Sequence, residues 1–116
     1  MSIEQINVVD FVGIERASGN ATLSISDHLG WDENEGEHLL MLQENLNAYL
    51  RFIESGEMVQ TFPQMRGRRV KIRIVGKYPL SPEARKFFRL AKDLVEEMGA
   101  ALKMGASLEF QHSPDE

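Results

Sequence analysis

The stretch from Ser26 to His38, SDHLGWDENEGEH, gathers two histidines, five carboxylates and the chain's single tryptophan into thirteen residues. Imidazoles and carboxylates at this density suit proton transfer, or the coordination of zinc, manganese or iron through nitrogen and oxygen. A metal-dependent or metal-binding reading would select His28, Asp32, Glu37 and His38 as ligands. The spacing speaks against it. The two histidines stand ten residues apart and lack the i, i+4 relation of HExxH, while DENEGE lacks the alternating oxygens and terminal glutamate of a calcium loop. Carboxylates also gather before a helix for a simpler reason: its first N–H groups are unpaired and carry partial positive charge.

Catalysis finds little further support. His28, His38 and His112 are the only histidines, and none lies in a GxSxG context. Neither GxxxxGK[ST] nor GxGxxG is present to cradle a phosphate. Asp27 reads as structural. Counting by twos from Leu23 and Ile25 places it on the core side at the end of a strand. A carboxylate there needs donors, which the N–H groups of the following loop or His28 would supply, holding the LGW turn in place. Trp31 is expected to cap the edge of the core with its indole N–H toward a polar partner or water.

A second concentration of chemistry lies further on. Arg66, Arg68, Arg69, Lys71, Arg73 and Lys77 are six of the thirteen cations, within twelve residues. On a strand, Arg69, Lys71 and Arg73 would share one face at a spacing of roughly 6.5–7 Å, a layout that could follow a nucleic-acid backbone. The net charge of −5 disfavours that reading. The RNP pattern of aromatic residues that stack bases on RRM-type sheets is missing too. Cross-strand pairing with Glu15 or Glu109 is the simpler expectation.

The elements that must position these residues are well marked. Val12 and Ile14, then Leu23 and Ile25, alternate with polar or small residues on either side of the turn Ala17-Ser18-Gly19-Asn20, predicting a β-hairpin; residues 6–9 could lengthen its first strand. Leu39, Leu42, Leu46, Tyr49, Leu50 and Ile53 recur at helical spacing, predicting a helix over about 35–55 that stops at Ser55-Gly56. Met58, Val59 and Phe62 fit a short edge strand or an extension of that helix. RVKIRIVGKY alternates cleanly, with Val70, Ile72 and Ile74 on one face. Ser81-Pro82-Glu83 opens a second helix as cap, first-turn proline and first-turn acid. Its stripe is Ala84, Phe87, Phe88, Ala91, Leu94, Val95 and Met98, with Gly99 as its exit. Leu108 and Phe110 mark a last strand.

The order is ββαβαβ. Strands with one apolar face and helices with one apolar stripe imply an α+β two-layer sandwich: a mixed or antiparallel sheet of four to five strands under two helices on one face. The unit from the third strand to the fourth is expected to be a right-handed parallel crossover. The expected core is Leu42, Leu46, Ile53, Ile72, Ile74, Phe87, Ala91 and Leu94. The 116 residues form one domain over 1–112, followed by a disordered tail over 113–116. With no cysteine, disulfides, thiolate catalysis and Cys-ligated metals are excluded. The start, MSIEQINVVD, lacks the features of a secretory signal, and no apolar run is long enough to span a membrane. A soluble cytoplasmic protein is expected.

ISDHLGW, EHLLMLQENLNAYLRFIESGE and VKIRIVGKYPLSPEARKFF cover most of residues 24–88, and in them the chain resembles a family of small bacterial proteins of unknown function. The shared pattern is ISDHLxW, EHLxxLQ, FIESGE and KYPLS, from which AALKMGASLEF departs by a few extra residues. The resemblance implies the same fold and a cytoplasmic setting, and it brings no catalytic residue with it. Acidity, small size, the lack of a catalytic motif and an open sheet face favour a non-catalytic protein-binding or regulatory module, immunity-like in kind, without a cofactor. Its partner is another protein or a second copy of the chain, met through the open sheet face and the 27–38 loop. Asp27, His28, Trp31, Asp32, His38, Arg69, Lys71 and Arg73 are the candidate contact residues.

Overall fold

In the computed structural model, which describes residues 11–114, the chain forms a four-stranded mixed sheet with three helices, two of them long. The elements are β1 (Phe11–Ile14), β2 (Ala21–Asp27), α1 (Glu35–Glu54), α2 (Glu57–Thr61), β3 (Val70–Gly76), α3 (Pro82–Ala101) and β4 (Ala106–His112), with a single 3-10 turn at Pro63–Met65. The expected ββαβαβ order holds. The segment after α1 resolves into the short helix α2 rather than an edge strand. Residues 6–9 lie outside the described residues, as does the end of the expected tail; Ser113 N–H donates to Gly76 O at 2.8 Å.

The strands stand in the order β1-β2-β3-β4. β1 runs antiparallel to β2 through a turn in which Gly19, at φ 76°, takes the left-handed conformation. β2, β3 and β4 are parallel neighbours, so α1 and α3 are each the crossover of a βαβ unit. α3 starts as its residue types require, with Ala84 N–H donating to Ser81 Oγ at 3.1 Å.

Period-two alternation decides the faces of the sheet. Leu23, Ile25, Val70, Ile72, Ile74 and Leu108 are buried together with Leu42, Leu46, Tyr49 and Ile53 of α1 and Ala91 and Val95 of α3. The face of α1 is centred slightly differently from the leucine stripe. His38 and Asn45 are buried on it, whereas Leu39 and Leu50 are only half-buried.

α3 is where the expected core needs correction. Leu94 is 60% exposed and Phe87 only half-buried, while Ala84, Val95 and Gly99 face inward. The apolar surface of α3 is wider than the part the sheet covers, and the small residues take the close side. Gly99 does not end the helix. It lies inside α3 because a Cβ there would come within 2.6 Å of Ala106 Cβ and 2.8 Å of Ala106 N. On an open helix Gly→Ala would stabilise by about 0.8–1 kcal/mol. Here Gly99→Ala is expected to destabilise by about 1–3 kcal/mol, because backbone must shift to admit the methyl. A chemical denaturation curve displaced toward higher stability would refute this packing.

Candidate functional site

β2 ends at Asp27, and the loop from His28 to Asn34 carries the chain to α1. β3 ends beside it, and Lys77 to Ser81 lead into α3. Two adjacent parallel strands therefore deliver their following loops to one end of the sheet, where open α/β sheets characteristically form their ligand crevices. Between these loops lies a cleft of about 790 Å³, bounded by Leu29 to Asn34, Glu37, His38 and Met41 on one side and by Tyr78, Pro79, Ser81 and Pro82 on the other.

His38, which lines it, belongs to a buried pair. Asp27 and His38 are 3% and 2% exposed, and His38 Nε2 lies 2.6 Å from Asp27 Oδ2. The other imidazole nitrogen donates to Gly30 O at 2.9 Å, and the other carboxylate oxygen accepts from Leu29 N–H at 3.1 Å. A carbonyl can only accept, so Nδ1 carries a proton. At 2.6 Å two lone pairs would repel, so a second proton lies between Nε2 and Oδ2. Trp31 stacks on the imidazole with ring centroids 3.6 Å apart and planes 14° from parallel.

This constellation confirms the core-side placement of Asp27 and assigns its partner: His38, eleven residues on, rather than His28. His28 is exposed and does not line the cleft. Chemically, an Asp–His pair can orient an imidazole for acid–base work, but only if the far nitrogen faces a reactant. Here that nitrogen is spent on Gly30 O, and the ring face is covered by Trp31. The pair pins the LGW turn to α1. Nor are the four residues of the metal reading brought together: among the described residues no group of three or more His, Cys, Asp or Glu side chains is placed to hold an ion.

Trp31, half-buried, and exposed Asp32 do line the cleft. Sequence reasoning missed Tyr78 and Pro79, on the opposite wall. Their signal was available: both directly follow a strand that precedes a helix, the position of crevice-forming loops in parallel sheets.

Arg69, Lys71 and Arg73 belong to a different surface. On the open face of the sheet, Lys71 lies 3.6 Å from Glu15 and 3.4 Å from Glu109. Arg73 meets the same two carboxylates at 3.2 and 3.7 Å. Two cations on β3, Glu109 on β4 and Glu15 just after β1 make a neutral quartet, the pairing with Glu15 and Glu109 expected of this alternation. Arg69, before β3, lays its guanidinium across Gly105, where its Nε is 2.8 Å from the position a Cβ would take. On this face Lys71 and Arg73 are thus each paired with carboxylates.

Glu15 is held below the usual carboxylate range, chiefly by the Ser18 hydroxyl and then by the charge of Lys71. A carboxyl whose pKa is depressed by folding lends stability above its unfolded pKa and loses it as pH falls through the folded value. The urea midpoint of Glu15→Gln is therefore expected below that of the parent at neutral pH, with the two converging in acid. A gap that stays constant into strong acid would remove Glu15 as its source.

The family model for DUF6572 matches residues 1–108, nearly the whole chain. The chain belongs to DUF6572, a family of unknown function. Neither a curated protein nor a solved structure matches it. For this DUF6572 member the functional reading rests on the geometry just described. No helix among the described residues is long and apolar enough to cross a membrane.

Proposed function

We propose that this protein is a non-catalytic binding module of the cytoplasm, regulatory or immunity-like in role, whose cleft takes a basic segment of a partner protein. The observation that carries this reading is the saturated Asp27–His38 pair beneath Trp31. It makes this side of the cleft rigid while leaving no imidazole lone pair for proton transfer. Lining the cleft, Trp31 and Tyr78 offer aromatic surface, and Asp32, Glu33 and Glu37 supply negative charge. A lysine or arginine side chain satisfies both, through cation–π contact and carboxylate pairing. Lys77 already approaches the Tyr78 ring at 5.8 Å from its centroid. The neutral quartet on the open sheet face favours a protein over a nucleic acid, since it presents paired charges of both signs.

Trp31 is the chain's single tryptophan, so its fluorescence reports on the cleft directly. Arginine- and lysine-bearing peptides are expected to change its emission saturably, more weakly at high salt, and more weakly still with Asp32→Asn and Glu37→Gln. Acidic peptides of equal length are expected to leave it unchanged. An equal response to both classes, or none to either, would overturn the reading.

A further inference from the structure

α3 carries two leucines that the fold leaves exposed, in line with two apolar residues packed at the edge of the core. Leu90 and Leu94 are 68% and 60% exposed, and with half-buried Phe87 and Met98 they follow one another at three- and four-residue spacing. Beside this row the charges are segregated. After Glu83, the basic residues Arg85, Lys86, Arg89 and Lys92 come first along the helix, and the acidic Asp93, Glu96 and Glu97 follow.

The helix macrodipole does not account for that order, because its effect is confined to the first and last turns. The first turn holds acidic Glu83, which pairs with Lys86 at 3.3 Å, and the last turn holds no basic residue. Packing within the chain does not account for the order either. Among the described residues, none of Arg85, Arg89, Lys92, Asp93, Glu96 and Glu97 makes an ion pair within 4.0 Å, although Arg89 and Asp93 stand four apart on the helix.

A second α3 laid antiparallel resolves both features. A two-fold axis crossing the helix between Leu90 and Leu94 sets Leu90 of one copy against Leu94 of the other, and the reverse. The same axis brings Lys86 of one copy beside Glu97 of the other, basic stretch against acidic stretch. A parallel pairing would set like charges together. We infer that the protein self-associates as an antiparallel two-fold dimer through α3, with Leu90 and Leu94 at its centre and Lys86–Glu97 pairs at its flanks. This interface lies on a different surface from the cleft and does not depend on the reading given for it.

Light scattering and sedimentation of the full chain over a concentration series test the inference. The expected result is a dimer at tens of micromolar. Leu94→Asp, at an exposed position, should raise the dimer's Kd about tenfold or more while far-UV circular dichroism stays unchanged. Lys86→Glu should also weaken the dimer, and adding Glu97→Lys to it should restore association by exchanging the two charges. A parent protein that stays monomeric at hundreds of micromolar would overturn the inference. So would a dimer indifferent to Leu94→Asp, or one that the double exchange fails to restore.

Discussion

Asp27→Ala is expected to cost the fold about 3–5 kcal/mol, the usual loss when one partner of a buried, hydrogen-bonded pair is removed. The loss should be large because the carboxylate serves two groups at once. It accepts from Leu29 N–H through Oδ1, and Oδ2 faces His38 Nε2. With alanine, a donor on the backbone and a ring nitrogen 2% exposed both lose their partner, and water has little access to replace it. Asp27→Asn keeps the size and one acceptor oxygen, so it should fall between the parent and alanine. Because Trp31 stacks on His38, its emission should shift to the red in Asp27→Ala even where the protein remains folded. Urea melts and tryptophan spectra read the two effects separately. An alanine variant within about 1 kcal/mol of the parent would mean that the pair does not hold the loop.

Leu46→Ala should cost about 2–5 kcal/mol, through lost transfer energy and the cavity left behind. Leu46 is 4% exposed on the face of α1 that meets Leu23, Ile25, Ile72 and Ile74 in the core. The informative control is Leu94→Ala. It deletes the same atoms from a residue 60% exposed, so at dilute protein it should lie within about 0.5 kcal/mol of the parent. If Leu94→Ala proved the costlier of the two, the buried faces of the helices would have been wrongly assigned.

The sequence by itself determined the four strands, the two long helices and most of their orientation, because those signals are local; the short helix α2 was not among them. The alternation of Val70, Ile72 and Ile74 fixes which face of β3 is buried, and Ser81-Pro82 caps α3 using atoms three residues apart. The hairpin turn, the two long helices and the core side of Asp27 follow from the same short-range rules. Tertiary structure decided the rest. A helical period marks an apolar stripe but not which part of a wide stripe the sheet will cover, so Val95 rather than Leu94 went inside. Gly99 reads locally as a helix end, and only the approach of Ala106 explains it within α3. His38 joins Asp27 because α1 returns over the end of β2, and Tyr78 faces Trp31 across the cleft because β3 lies parallel beside β2. Spacing along the chain cannot state such meetings, since a hydrogen bond or a shared wall depends on distance in space, which the packing of separate elements alone sets.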